Sequence, residues 1–339
     1  MSRDPTIEAT PTGTDLKVEE SLRPRRFDDF VGQTTVKQNL EVMAQSARMR
    51  QATLDHVLLS GPPGLGKTSM AHILAEEMNS ELHVTSGPAL EKPVDLAGIL
   101  TRLQRGDLLF IDECHRMNAV VEENLYPAME DFRFDIIIGE GAHAQSMKMT
   151  LEPFTLVGAT TRRGLMTAPM RDRFGYDARL DYYSAEELRH IVERSAQILG
   201  IAITSEGAAE IAQRSRGTPR IANRLLNRVR DYAVVDGRDD IDQDLADYAL
   251  GRLDVDSAGF DHLDRLYLDA LVVKFGGGPT GLDTLASSIG EAKNTIEEVV
   301  EPYLLQQGFI QRTPRGRVAT ASAFQHMGVP FRPSQDTLL

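Results

Sequence analysis

Two short clusters in this chain have the residue types and spacing of phosphate chemistry. Gly61-Pro62-Pro63-Gly64-Leu65-Gly66-Lys67-Thr68 fits the pattern G-x-x-x-x-G-K-S/T, after an apolar run and before a helix-like one. Glycines there let backbone N–H groups curl around phosphate oxygens at a helix N-terminus, whose dipole favours anions. Lys67 places a point charge on the β- and γ-phosphates, and the Thr68 hydroxyl is a magnesium ligand. Downstream, the apolar run Asp107–Ile111 leads into two carboxylates, Asp112 and Glu113. Asp112 would hold magnesium through its water shell, and Glu113 would polarise an attacking water as general base. Either cluster alone can be a glycine-rich turn or a solvated strand end. Together, in this order, they point to ATP, Mg2+ and hydrolysis.

Such residues need a rigid frame. The runs His56–Ser60, Leu82–Ser86, Asp107–Ile111 and Thr155–Ala159 are short and do not alternate, as strands buried on both faces should be. Helix-like stretches separate them, which predicts an α/β fold with a parallel sheet. From Ser184 the pattern is purely helical. Ser184 and Glu187 have capping-box spacing ahead of Leu188, Ile191, Val192, Ala196 and Leu199, and Gly200 stops the run. Helical stretches follow around Ala208–Arg214 and Ile221–Val235, punctuated by Gly217 and Pro219. Beyond Ser257, two short helices meet at a turn around Gly290, and strand-like pieces Gly308–Gln311 and Arg317–Thr320 flank the turn Thr313–Gly316. Helix, turn, helix and hairpin is the order of a winged helix. The expected organisation is a flexible tail (1–20), a large α/β ATPase domain (21–182), a small helical lid (183–255) and a winged-helix DNA-binding domain (256–339).

A length of 339 residues suits two or three cores. One cysteine, Cys114, excludes an internal disulfide framework and reads as a small buried apolar residue in a reducing compartment. No apolar run is long enough to span a bilayer and the N-terminus lacks a secretory pattern, so the expectation is a cytoplasmic protein without a membrane partner. The formal charge of −13 argues against a positively coated body, so binding DNA would need a local basic patch. From Pro302 to Gln335 there is no acidic residue, while Arg312, Arg315, Arg317 and Arg332 all occur. Three of these lie in or beside the wing turn, where they can reach phosphates without reading bases. Glu297, Glu298 and Glu301 on the second helix would be repelled by a phosphate backbone, which argues against sequence-specific major-groove docking.

Further segments carry a family resemblance. Val157-Gly158-Ala159-Thr160-Thr161 is similar to the sensor 1 strand of AAA+ ATPases, with Thr160 or, by preference, Thr161 orienting water at the γ-phosphate. Met170-Arg171-Asp172-Arg173-Phe174-Gly175 resembles the arginine-finger segment, with Arg173 chosen over Arg171. Gly217-Thr218-Pro219-Arg220 resembles sensor 2, with Arg220 at the nucleotide. Ser21–Gln33 looks like the N-terminal box of the RuvB family, and the chain resembles that family throughout. Cys114 and Met117 depart from its usual pattern without touching a catalytic role.

The resemblance implies an ATP-driven motor that forms a homohexameric ring on duplex DNA and moves Holliday junctions in recombination and repair. It implies that Leu22 and Arg23 line the adenine pocket, that Tyr183 packs on the base, and that Gly64, Gly66, Lys67, Thr68 and Ser69 hold the phosphates. Glu130, Asp131 and Phe132 match a family segment near the nucleotide, and Arg312 and Arg317, with Arg315 beside them, match residues on DNA. A hairpin over residues 134–150, turning at Gly139 and Gly141, would dock on RuvA, and RuvC is a further implied partner. The alternative reading is a clamp-loader-like AAA+ switch acting on DNA; the basic wing and the hairpin speak against it.

Overall fold

The computed structural model describes residues 20–138 and 145–331. The expected tail, Arg332 and the turn at Gly139 and Gly141 lie outside the described residues, as do the side chains of residues 136–147. Strands β1 (Val57–Ser60), β2 (Leu82–Ser86) and β3 (Leu108–Asp112) come first in the chain. A separate antiparallel hairpin follows, β4 (Arg133–Ile138) with β5 (Gln145–Thr150), and then β6 (Thr155–Thr160) and β7 (Tyr176–Arg179). Five of them form a parallel sheet in the order β2-β3-β6-β1-β7. Every residue of β1 and β6 is buried, because helices cover both faces. The strand missing from the sequence reading, β7, alternates instead: Ala178 is buried while Asp177 and Arg179 are polar and point the other way. An edge strand with a charged face has no apolar run to find.

The described chain forms two compact units. The first runs to Leu199 and takes back Gly217–Asn223; the second comprises Gly200–Arg216 and the chain from Arg224 onward.

In the first unit, helices α1 (Thr34–Arg50), α2 (Lys67–Met78), α3 (Pro93–Leu100), α4 (Ala119–Glu130) and α5 (Ala185–Leu199) accompany the sheet. The capping box of α5 forms as expected: Ser184 N donates to Glu187 Oε2 at 2.8 Å, and Glu187 N donates to Ser184 Oγ at 3.2 Å. Leu58, Leu109, Ile111, Leu156, Phe134 and Phe154 fill a core against α3 and α4. Cys114 belongs to it; burial pushes its thiol up to about 12, which makes it the inert apolar residue its surroundings demand.

In the second unit, α6 (Ser205–Gln213) packs on α8 (Gln243–Arg252), and α7 (Pro219–Val235) contributes its later turns. The winged helix begins with α9 (His262–Asp269) and α10 (Leu282–Ile289), the latter ended by Gly290 at φ 76. Its next helix runs through Lys293–Thr295, a π turn over Ile296–Val300, and Glu301–Gln306. Strands β8 (Ile310–Thr313) and β9 (Gly316–Ala319) make the wing, with Arg312 opposite Arg317. Phe260, Tyr267, Leu271, Leu285, Ile296 and Leu304 close this second core. Among the described residues no helix is long and apolar enough to cross a membrane.

Candidate functional site

The carboxyl ends of β1, β3 and β6 converge, and the two sequence clusters meet there. Gly61 N donates to Thr160 O at 3.1 Å and Leu180 N donates to Ser60 O at 2.8 Å, which fixes where the glycine loop leaves the sheet. Gly64 and Gly66 hold φ of 78 and 100, a region that strains any residue with a side chain. A Cβ on Gly64 would stand 2.7 Å from Thr218 Cγ2, and one on Gly66 would stand 3.0 Å from Phe30 Cζ. The loop therefore tolerates no side chain where its backbone must curl.

Lys67 opens α2 and is buried; its Nζ donates to the carbonyls of Gly61 (2.7 Å) and Pro62 (2.8 Å). Burial pushes its ammonium down to about 8, with the carboxylates of Glu113 and Asp112 opposing the shift. No acid occupies the first turn of α2, so nothing there competes with an anion for the helix dipole. Thr68, Ser69, Asp112 and Glu113 line the same cleft as Lys67, Gly64 and Gly66. A glycine cradle, a buried cation hydrogen-bonded to two carbonyls, and a hydroxyl and a carboxylate on one cleft fit a triphosphate with a magnesium ion.

Glu113 follows the last residue of β3 with φ 47 and ψ 45, a left-handed conformation that costs a non-glycine residue about 1–2 kcal/mol. That backbone turns its carboxylate toward β6. Oε2 accepts from Thr161 Oγ1 at 2.8 Å and lies 3.2 Å from His115 Nδ1. Thr160 differs from Thr161: its buried hydroxyl lies 2.9 Å from His115 Nδ1 and accepts from Arg162 N at 3.0 Å. His115 did not stand out in the sequence, since a histidine beside two acids has no spacing of its own.

The far wall of the cleft carries Leu22, Arg23, Tyr183 and Arg220, all singled out from the sequence. Tyr183 is buried; its N donates to Gly217 O at 2.9 Å and its hydroxyl to Leu65 O at 3.2 Å. Phe30, Ile191, Arg194, Ser195 and Asn223 also line the cleft and were missed. Arg194 Nη1 donates to Leu22 O at 3.0 Å, and Ser195 Oγ donates to Asn223 Oδ1 at 2.7 Å. The 191, 194 and 195 spacing marks one face of α5, a stripe that the apolar reading of that helix absorbed.

Four expected nucleotide neighbours, Arg173, Glu130, Asp131 and Phe132, do not line this cleft. Two of them pair with each other: Arg173 Nη2 lies 3.1 Å from Glu130 Oε1.

On the wing, the arginines meet a carboxylate that the sequence alone counts among those a phosphate backbone would repel. Glu301 is fully buried and accepts from Arg312 Nε (2.8 Å), Arg317 Nε (2.8 Å) and Tyr267 OH (3.0 Å). It is a neutralised anchor, not a solvated repeller. Glu297 is half-buried and lies 3.3 Å from Arg317 Nη2, so only Glu298 of the three acids is exposed. Arg317 is mostly covered, Arg312 is half exposed at 46% of its side chain, and Arg315 at the turn is exposed.

A parallel sheet whose strand ends carry a P-loop, an Asp-Glu pair and a polar sensor strand, with a winged helix downstream, defines an AAA+ ATPase. The family model for the Holliday junction DNA helicase RuvB P-loop domain matches residues 22–180. The models for the RuvB AAA lid domain and the RuvB C-terminal winged helix domain match residues 183–256 and 257–328. The chain belongs to the RuvB family of Holliday junction branch migration motors, and it is a nucleotide-binding ATP hydrolase of that family. The structure of the Thermotoga maritima RuvB Holliday junction branch migration motor is similar at 48% identity and a TM-score of 0.83, over 92% of this chain and 100% of that one. A single-residue variant of the Thermotoga protein is similar at 49% identity and 0.85, over 92% and 99% of the two chains.

Proposed function

We propose that this chain is the subunit of a homohexameric ring that encircles duplex DNA and, docked on RuvA through the 134–150 hairpin, drives branch migration in cytoplasmic recombination and repair. RuvC is a further partner of the same assembly. The boundaries are those of a large ATPase domain (21–182), a lid (183–255) and a winged helix (256–339). The observation that carries the ring is the position of Arg173, which does not line the cleft of its own chain. A site that lacks its arginine finger needs a neighbour to supply it.

Leu22, Arg23 and Tyr183 receive the base, and Gly64, Gly66, Thr68 and Ser69 receive the phosphates. Lys67 exchanges the carbonyls of Gly61 and Pro62 for β- and γ-phosphate oxygens. Thr68 and Asp112 would hold a magnesium ion, which would supply positive charge against the phosphates. The Glu113 carboxylate takes a proton from the attacking water, with Thr161 orienting both, and Arg220 follows the γ-phosphate from the sensor 2 turn. Arg173 enters from the neighbouring subunit, and Glu130, Asp131 and Phe132 accompany it because Glu130 and Arg173 share one surface. On DNA, Arg315 and Arg312 contact phosphates while Arg317 keeps the wing in place; this supports backbone tracking over base readout.

The test is ATP turnover per subunit against protein concentration on duplex DNA. The reading expects turnover to rise steeply as rings assemble. Turnover per subunit that is constant down to concentrations where the protein is monomeric would refute it.

A further inference from the structure

We propose that Tyr126 is a positioning residue for Arg173: its ring fixes the plane of the guanidinium that the neighbouring subunit receives. The inference rests on the reading of Arg173 as a finger acting between subunits.

Three contacts hold the guanidinium. Its Cζ lies 4.2 Å from the centroid of the Tyr126 ring, its Nη1 donates to Pro169 O at 2.7 Å, and its Nη2 lies 3.1 Å from Glu130 Oε1. The Arg173 Nε is buried and has no hydrogen-bond partner among the described residues. These contacts differ in permanence. The Glu130 side chain is 55% exposed, so that pair is screened by water and yields readily to a phosphate. The ring offers no competing charge and stays in contact when Glu130 is exchanged.

The ring is itself tethered at its hydroxyl. Tyr126 OH donates to Glu122 Oε1 at 2.6 Å, and that buried carboxylate also accepts the hydroxyl of Thr167. Thr167 in turn caps the short helix Ala168–Arg171, accepting from Met170 N at 3.3 Å. Glu122, Tyr126 and Glu130 are spaced four apart on α4, so they form one stripe along the helix. One element supplies the tether, the stacking ring and the exchangeable carboxylate, and the chain segment it holds carries Arg173. An ordinary packing contact would need only the ring.

The experiment uses the full chain on saturating duplex DNA and measures kcat and ATP affinity. Arg173→Ala is expected to lower kcat roughly 10³-fold. Tyr126→Leu should lower it about 10- to 100-fold, as a misplaced group does, with ATP affinity unchanged. Tyr126→Phe keeps the stack and loses the tether, and should fall between Tyr126→Leu and wild type. The double variant of Tyr126→Leu with Arg173→Ala should match Arg173→Ala alone. Mixing Tyr126→Leu with Glu113→Gln subunits should restore turnover, because the latter present a correctly held finger to an intact cleft. If Arg173→Ala is impaired while both Tyr126 variants turn over as wild type, the inference falls and the finger reading stands. If Arg173→Ala itself keeps wild-type kcat, both fall. Loss of ATP affinity in Tyr126→Phe, or no recovery in the mixture, would mark the ring as merely structural and overturn the proposal.

Discussion

The nucleotide cleft and the wing both set cations against oxygen acceptors, and they do so in opposite ways. In the cleft, Lys67 rests on two backbone carbonyls, partners that a phosphate can replace at every turnover. The strain sits in the backbone at the left-handed Glu113, while Gly64 and Gly66 take positive φ without it. On the wing, Arg312 and Arg317 share one buried side-chain carboxylate, and separating them would leave Glu301 charged and dry. The cleft is built to change partners, and the wing is built to keep them. On the proposed function, chemistry belongs to the first region and grip to the second, so damage to one should leave the other intact.

The sharpest way to break that division is to remove the base. Glu113→Gln should lower kcat roughly 10²- to 10⁴-fold while ATP and duplex DNA still bind, read by single-turnover hydrolysis and fluorescence anisotropy. A variant that also lost DNA binding would join the two regions. The complementary change is Glu301→Gln, which strips two guanidinium groups of their shared charge. With Arg312 half exposed, about 2–3 kcal/mol should be lost from the winged-helix transition in urea, with ATP affinity unchanged. An unaltered midpoint would show that the anchor contributes nothing.

A smaller effect concerns pH. Burial lowers Lys67 to about 8 in the free protein, and a bound triphosphate should return it to its ordinary range. Below pH 7 the lysine is charged before and after binding, so it contributes no proton exchange there. Above pH 8 it is mostly neutral before binding, so ATP binding takes up a proton and weakens by up to about tenfold per pH unit. Calorimetry in two buffers of different ionisation heat would detect the uptake, and Lys67→Met should abolish it. Equal heats in both buffers at pH 9 would contradict the assignment. The smallest effect is expected at the wing tip. Arg315→Ala should reduce the slope of log affinity against log salt by about 1, uniformly across DNA sequences. Loss at one sequence only would point to base readout.

These two regions also differ in how far they can be read without coordinates. The P-loop is legible because backbone geometry dictates residue type, only glycine tolerating the positive φ beside Thr218 and Phe30, and the Asp112–Glu113 pair is legible because two carboxylates end an apolar run. The four core strands show for a similar reason, since burial on both faces demands unbroken apolar runs. Glu301 is not legible in that way. Glu297, Glu298 and Glu301 look alike in sequence, yet Glu301 is buried against Arg312, Arg317 and Tyr267 while Glu298 is exposed, a difference set by partners distant in the chain. The ring under Arg173 is equally silent, because Tyr126 meets it only through the fold. His115 and β7 escaped for want of any spacing or apolar signature.

On the proposed function, hydrolysis in the cleft moves DNA held by the wing. The most direct test is branch migration of a synthetic four-way junction with ATP, magnesium and RuvA, comparing wild type with Glu113→Gln and Arg315→Ala. Wild type should separate the junction into duplexes, Glu113→Gln should not, and separation by Arg315→Ala should fade as salt rises. A wild-type protein that hydrolyses ATP on the junction and never moves it, at any salt or RuvA concentration, would contradict the account.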